Sequence, residues 1–301
     1  MKSISVALKA HYAGNVLTLA SIWRITLISG TVKNFTDHDK DITYDGETYL
    51  ATGGYSASNI QSTSAMNVDN LEVNGFLLAP HISRDELLAG RWNHAKVEIM
   101  RVNYKDLSML HENLGTGRLG EVKIGRNKFT AELRLLMQPL QRNIGSLTSP
   151  VCRYDLGDSR CTKVLTDYTV LAAEVTSLID GRTFITDLPS STVRLTPSTT
   201  GAPTDDYFQG GPLTWVTGNS TELKREVELY DSATGMVTLA VGMYDAIQVG
   251  DTFNIVAGCN KLLKTGSAAY NGDCKIKFGN VVNFGGEPEL SGEKSLNIGG
   301  Q

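Results

Sequence analysis

The sequence lacks several features that define whole classes of protein. No run approaches the about eighteen apolar residues of a membrane span. The apolar stretch after Lys2 is too short and too interrupted for a signal peptide, so we expect a chain made in a reducing cytosol. Lys and Arg are spread without a basic cluster and the net charge is −4, which argues against tight nucleic-acid binding.

Histidine is scarce, and sequence motifs for catalysis are absent. All five histidines precede residue 115 and none pairs with another at ligand spacing, so we expect no histidine-based metal centre. The Gly-Xaa-Ser-Xaa-Gly elbow of α/β-hydrolases is missing. Gly115-Thr-Gly117-Arg-Leu-Gly120 matches the letters of a dinucleotide-binding loop, but no buried strand precedes it and no helix follows. We therefore expect a turn there.

The composition that is present favours a mainly β fold with a substantial core. Hydrophobic residues make up 41% of the 301 residues, and thirty glycines and eight prolines favour many turns. The length suggests two domains. We place them at 1–148, a β-rich domain, and 149–301, a second β-rich domain with a Gly-rich tail.

Strand-like alternation recurs along the chain. Trp23–Leu27 alternates with a period of two, and Asp45-Gly46 predicts a type I′ hairpin turn because these residues tolerate positive φ angles. Further strands are predicted at Asn67–Val73, Lys96–Ile99, Tyr168–Val175, Arg182–Thr186, Leu213–Val216, Arg225–Tyr230, Met236–Leu239 and Thr252–Val256.

Helices are predicted at three places. A short amphipathic helix is expected at 3–13. Ser83 can cap a helix over Arg84–Leu88, with Gly90 ending it. Leu135–Asn143 is a third candidate, although Pro139 disfavours a helix there.

Two irregular segments are predicted in the second half. Residues 188–207, rich in Ser, Thr, Pro and Gly, predict a long loop. The tail 285–301 is expected to be extended and exposed, and ordered only against a partner. Phe208 and Trp215, beside paired glycines, could form a carbohydrate or base platform, but a loop leading into a strand that buries both rings is the better interpretation.

All four cysteines lie in the second half, at Cys152, Cys161, Cys259 and Cys274. The C-x8-C and C-x14-C spacings are not those of a zinc knuckle. They leave open a metal or cluster site, a disulfide pair and unrelated buried thiols. A disulfide is disfavoured in reducing cytosol. Four thiolates would suit zinc and an iron–sulfur cluster almost equally.

Several neighbours of the cysteines favour the metal interpretation. Asp155, Gly157 and Asp158 form a turn that could fold the chain between Cys152 and Cys161. Gly258 allows close backbone approach before Cys259. Basic residues that would favour thiolates flank the cysteines, namely Arg153, Arg160, Lys261 and Lys275.

A series of segments in fixed order carries a resemblance to a known family. They are Gly30–Asp39, Gly46–Tyr49, Val68–Val73, Cys152–Cys161, Phe208–Trp215, Val249–Asp251, Gly258-Cys259, and Cys274 with Phe278–Pro288. Together they resemble the tail-tip hub proteins of long-tailed bacteriophages and related gene-transfer agents, with the tail-tip protein L of phage lambda more distantly similar. The likeness runs through nearly the whole chain.

The resemblance implies a structural component of the virion tail tip, assembled in the host cytoplasm, and not an enzyme. It implies a tail-hub β-barrel or sandwich domain with short helices, followed by a smaller β-rich domain that binds a [4Fe–4S] cluster. The implied cluster ligands are Cys152, Cys161, Cys259 and Cys274, with zinc as the alternative metal.

The same resemblance implies a set of partners. The hub is expected to be a homotrimer that closes the tail tube and contacts the distal tail protein, the tape-measure protein and central tip, receptor-binding or fibre proteins. DNA would only pass through the lumen. Two alternatives are a tail-associated peptidoglycan hydrolase with Cys161 or Cys259 as nucleophile, and a distal tail ring protein with a structural zinc site.

Three positions depart from the family pattern near the cysteines. Thr162 follows Cys161 where glycine is common, and Asn260 follows Cys259 where an acid is common. Gly285 stands where arginine is expected. None of these changes removes a thiol.

Overall fold

The computed structural model describes residues 4–51, 56–57, 70–76, 82–125, 128–135, 145, 147–188, 204–264 and 271–289. The chain divides into two compact units, Met1–Ile144 and Gly145–Gln301. The predicted ranges, 1–148 and 149–301, place the division four residues later. The second unit is the longer of the two, against the expectation of a smaller second domain.

Two short helices in the first unit confirm their predicted positions. Helix α1 spans Val6–Tyr12, and Ser5 Oγ accepts a hydrogen bond from Leu8 N at 3.1 Å. Helix α2 spans Arg84–Leu88, and Ser83 Oγ accepts from Glu86 N at 3.0 Å. These side chains satisfy N–H groups that the first helical turn leaves unpaired.

The third helix prediction has a different outcome. Leu135 ends a β-strand, so the predicted helix does not begin there. Residues 136–144 lie outside the described part of the chain.

The first unit forms a nine-stranded sheet in the order β3-β4-β2-β1-β7-β8-β9-β6-β5. Its pairs are antiparallel except β2 with β4, which is parallel. The strands are β1 Leu19–Thr26, β2 Val32–Thr36, β3 Ile42–Tyr44, β4 Glu47–Ala51, β5 Ser56–Ala57, β6 Asn70–Phe76, β7 Lys96–Asn103, β8 His111–Ile124 and β9 Lys128–Leu135.

Strand β1 contributes to two separate cores. Trp23 and Ile25 belong to one buried cluster, while Ala20 and Ile22 belong to another. Because side chains alternate between the faces of a strand, the two clusters cover opposite faces of the sheet at this point.

Two turns were predicted at glycines in the first unit, and one of these predictions is confirmed while the other is wrong. Asp45 and Gly46 have φ angles of 53° and 77° between the paired strands β3 and β4, so the type I′ hairpin is confirmed. The expected turn at Gly115–Gly120 is wrong, because these residues lie inside β8. The pairing of β8 with β9 shifts register between Leu119 and Val122, and glycine is common at such bulges.

The second unit is built on a closed six-stranded barrel in the order β10-β11-β14-β13-β12-β15. The resemblance implied a barrel or sandwich in the first domain. The closed barrel lies in the second unit instead, so this expectation is wrong for the closed barrel. Strand periodicity specifies which residues face a core but not whether a sheet closes. The strands are β10 Thr169–Leu178, β11 Thr183–Thr186, β12 Pro212–Trp215, β13 Lys224–Asp231, β14 Met236–Leu239 and β15 Thr252–Val256.

Aromatic rings fill the barrel. Phe184, Trp215 and Phe253 have centroids 5.6 to 5.8 Å apart in pairwise contacts. Phe208 and Trp215 are buried, which confirms the interpretation of that segment as a loop that leads into a core strand. Most of the predicted loop 188–207 lies outside the described residues.

Short helical elements lie outside the barrel strands. Helix α3 spans Asp273–Ile276, which the sequence did not predict, and single 3₁₀ turns occur at Thr166–Tyr168 and Val281–Asn283. Among the described residues, no helix is both long enough and apolar enough to cross a membrane.

Candidate metal centre

All four cysteines line one cavity in the second unit. Cys152 and Cys161 precede the barrel, Cys259 follows β15 by three residues, and Cys274 lies on α3. The thiols are free, so no disulfide links them. Cys161 and Cys274 are buried, and the other two are half-buried.

Asp158 folds the loop that carries the first two cysteines. Its Oδ1 accepts hydrogen bonds from Cys161 N at 2.6 Å and Arg160 N at 2.9 Å, and its Oδ2 accepts from Asp155 N at 3.3 Å. Hydrogen bonds from these backbone N–H groups, Cys161 first, hold the pKa of Asp158 below its usual value. Gly157 has a φ of +81°, which suits the turn predicted here.

Close backbone packing positions Cys259. A Cβ atom at Gly258 would overlap the Gln209 carbonyl oxygen, so only glycine fits this position without a shift. Lys277 Nζ donates to Gly258 O at 3.0 Å, to Tyr207 O at 3.1 Å and to the Asp273 carboxylate at 3.1 Å. This lysine therefore ties α3 to the segment before Cys259.

Every cysteine sulfur makes a hydrogen bond. Cys152 Sγ accepts from Gly285 N at 3.3 Å, and Cys259 Sγ accepts from Lys261 N at 3.4 Å. Cys161 Sγ accepts from Asn280 Nδ2 at 3.4 Å. The Cys274 thiol donates to Asn280 O at 3.3 Å. N–H donors aimed at sulfur favour the thiolate, which is the form that binds metals.

Burial and mutual repulsion disfavour thiolates when no cation is present. Burial raises the pKa of the Cys259 thiol. The pKa of Cys274 is raised to about 11, first by burial and then by the charges of Cys259, Cys152 and Cys161. The sulfurs thus share one electrostatic environment in which a bound cation would reverse the shift.

The three family departures have structural explanations. Thr162 has a φ of 57°, a conformation that favours the glycine common in the family. Asn260 Oδ1 accepts from Leu262 N at 3.0 Å and Asp273 N at 3.2 Å, as an acid could. A Cβ at Gly285 would press on the Tyr154 ring, so arginine would not fit without movement.

The start of the tail is buried or half-buried over 285–288, which corrects the prediction of an exposed tail there, whereas Glu289 is exposed as predicted. Gly285 is buried, and its carbonyl accepts from Arg153 N at 3.2 Å. Glu287 pairs with Arg153 through two bonds of 2.7 and 3.1 Å. Residues 290–301 lie outside the described part of the chain.

The charged groups of Arg153, Arg160 and Lys261 make their direct contacts with groups other than sulfur. The pKa of Lys261 is raised first by its hydrogen bond to Asp155 and also by the charges of Cys152 and Cys259, so its charge acts on the thiols as predicted. Arg153 pairs with Glu287, and Lys261 Nζ lies 2.9 Å from Asp155 Oδ1. The Arg160 guanidinium lies 5.2 Å from the centre of the Tyr154 ring. These charges hold loops together, whereas the contacts to sulfur come from backbone N–H groups and from Asn280.

The described side chains at the cavity are not grouped as tightly as the ligands of one bound metal ion. Within the described ranges, no three or more His, Cys, Asp or Glu side chains form a group that could hold a single metal ion. A zinc ion holds thiolates about 2.3 Å from the metal, so its sulfurs lie about 3.8 Å apart. Within the described residues, therefore, the choice between zinc and an iron–sulfur cluster stays a prediction.

Two protein families match the sequence. The family described as baseplate hub protein, N-terminal attachment domain, matches residues 5–164, and the family described as phage conserved hypothetical protein BR0599 matches residues 206–294. No curated protein sequence matches this chain.

A chain from a solved structure is similar to this protein over nearly its full length. A chain from the structure titled "Virion of native gene transfer agent (GTA) particle" is 30% identical in sequence, with a TM-score of 0.79. The match covers 97% of this chain and 94% of that chain.

These similarities define a structural component of a phage-type virion tail. The chain belongs to the baseplate hub protein family. The suspected relationship to phage and gene-transfer-agent tail hubs is therefore confirmed.

Proposed function

We propose that this protein is a non-enzymatic tail-tip hub subunit whose second unit binds a [4Fe–4S] cluster that holds its cysteine-bearing segments together. Cys152, Cys161, Cys259 and Cys274 would be its ligands. When bound, the cluster supplies a covalent inorganic cross-link between distant segments and a centre able to take up one electron.

The observation that carries the proposal is the meeting of four free thiols at one cavity. The cysteines come from segments that precede and follow the barrel in the sequence. Three of the sulfurs accept N–H donors, as thiolate ligands require. The barrel has its own buried core, while the described cysteine-bearing loops pack against a second, small cluster that includes Tyr168, Ala257 and Phe278.

The residues around the cavity support a structural role over catalysis. The described residues that line it include no histidine, which a cysteine nucleophile would need as its base. A muralytic assay before and after alkylation tests the hydrolase alternative. Lytic activity that alkylation abolishes would contradict the structural role.

The proposed hub role also includes a particular assembly and set of partners. We propose a homotrimer that closes the tail tube, contacts the distal tail protein and tape-measure protein, and joins them to tip or fibre proteins. DNA would pass through the lumen without a binding site, in keeping with the net charge of −4. Mass measurement of the assembled ring distinguishes three copies from the six expected of a distal tail ring protein.

Anaerobic purification tests the cluster. We expect brown protein with broad visible absorption and four iron and four sulfide per chain. Each single Cys→Ser variant should retain less iron than the parent. Colourless protein with stoichiometric zinc would contradict the iron–sulfur proposal but keep the four-thiolate site, and protein without metal would contradict both.

A further inference from the structure

We infer that Asn280 is a positioning residue that sets the reduction potential and the retention of the metal centre through its hydrogen bond to Cys161. This inference rests on the proposed cluster. The sequence showed Asn280 only as part of the segment Phe278–Pro288, with no role assigned.

Asn280 contacts two of the four cysteines at once. Its side-chain Nδ2 donates to Cys161 O at 2.6 Å and to Cys161 Sγ at 3.4 Å. Its backbone N donates to Cys274 O at 2.7 Å, and its carbonyl accepts from the Cys274 thiol at 3.3 Å. One residue therefore connects cysteines that are separated by more than a hundred positions.

Asn283 fixes the orientation of this amide. Its Nδ2 donates to Asn280 Oδ1 at 2.8 Å and to Thr162 Oγ1 at 2.9 Å. Because Asn280 Oδ1 accepts from Asn283, the Nδ2 of Asn280 faces Cys161. Hydrogen bonds thus link the side chains of Thr162, Asn283 and Asn280 in series, and the last of them donates an N–H group to the sulfur of Cys161.

Asn280 also differs from the other two sulfur donors. Gly285 and Lys261 donate from the backbone, which substitution leaves in place. Asn280 is the one side chain that donates to a cysteine sulfur in the described part of the cavity wall. An N–H donor stabilises the extra negative charge of a reduced cluster, so its loss should lower the reduction potential.

The test compares three variants of the full chain. Asn280→Asp keeps the shape and the acceptor for Asn283 but replaces the donor with a negative charge. Asn283→Ala leaves the donor but removes its orientation. Asn254→Asp is the control, because Asn254 Oδ1 accepts from Ala172 N at 2.9 Å and a carboxylate can do the same.

We expect the midpoint potential, measured by dithionite titration under anaerobic conditions, to fall in Asn280→Asp and to fall less in Asn283→Ala. Loss of iron to a chelator should be about tenfold faster in Asn280→Asp, since such outer partners typically contribute 10–100-fold to metal affinity. Asn254→Asp should match the parent in both measurements.

The outcomes separate this inference from the proposed function. A parent protein without an iron–sulfur cluster overturns both. A parent with a cluster whose potential and iron loss are unchanged in Asn280→Asp overturns the inference alone. Unfolding of both Asn280→Asp and Asn283→Ala, seen by circular dichroism, would assign Asn280 a merely structural role and would also overturn it.

Discussion

Arg153 and Glu287 form a two-bond ion pair across 134 positions of sequence, with Nη2–Oε1 at 2.7 Å and Nη1–Oε2 at 3.1 Å. Ser149 N also donates to this carboxylate at 2.9 Å, and Glu287 N donates back to Ser149 O at 2.7 Å. These contacts join the segment around Cys152, from Ser149 to Arg153, to the segment after Cys274.

The hydrogen-exchange protection that this ion pair gives to its neighbouring segment should depend on pH. The hydrogen bonds from Arg153 and then Ser149 hold the pKa of Glu287 below its ordinary value. A depressed carboxyl pKa stabilises the folded state above the unfolded pKa, and this stabilisation is lost as the pH falls through the folded pKa. We expect peptides over 147–153 to lose protection from hydrogen exchange only below about pH 4.

Substitution of Glu287 by glutamine should show whether the charge of its carboxylate, and not only its shape, holds the segment 147–153. Glu287→Gln keeps an acceptor for Ser149 N, but it should lower the protection of 147–153, measured against the intrinsic exchange rate at each pH, and make that protection independent of pH in this range. The control is Glu228→Gln, which breaks the pair of Glu228 with Arg182 in the barrel. If Glu228→Gln alters the exchange of 147–153 equally, the pair of Arg153 with Glu287 does not hold that segment.

Gly258 should be the most sensitive glycine near the cysteines. A methyl group there would overlap the Gln209 carbonyl oxygen and would also crowd Gly211 N. We expect Gly258→Ala to lower the free energy of unfolding by about 1–3 kcal/mol, the usual cost of overpacking. Gly181→Ala is the matched control, because nothing lies within 4 Å of a Cβ at Gly181. Equal unfolding curves for the two variants, measured in urea, would contradict the close approach.

Removal of the proposed cluster should loosen only part of the second unit. The barrel core includes Phe184, Phe208 and Trp215 and does not contain the cysteines. After chelation under denaturant-free conditions, we expect faster hydrogen exchange in 152–161, 258–264 and 273–285. Strands β11, β13 and β14 should keep their protection. Equal loss across the barrel strands would show that the centre stabilises the whole unit.

The sequence predicted local structure best where several signals agreed. Met236–Leu239 and Thr252–Val256 were predicted with the bounds that β14 and β15 have. Ser83 and Gly90 marked the ends of α2 because capping is a local effect. The four residues of α3 are too few to display a helical period, so this helix gave no signal.

Long-range relationships could not be predicted in the same way. The alternation in β10–β15 is compatible with an open sheet or a closed barrel, and only the pairing of β10 with β15 closes it. Asn280 donates to a sulfur 119 positions away, a contact that no spacing rule contains. The number of cysteines suggested one four-thiolate site and the resemblance implied that they bind a cluster, while their shared cavity is a property of the tertiary fold.

Closure of the barrel limits how the second unit can meet its neighbours. Each of its strands is paired on both sides, so the barrel presents no open main-chain edge to which another chain could add a strand. The nine-stranded sheet of the first unit, in contrast, ends in β3 and β5. Among the described residues, β3 and β5 are therefore the strands at which another chain could add to the first unit by main-chain pairing, whereas the barrel strands leave only loops and side chains for such contacts.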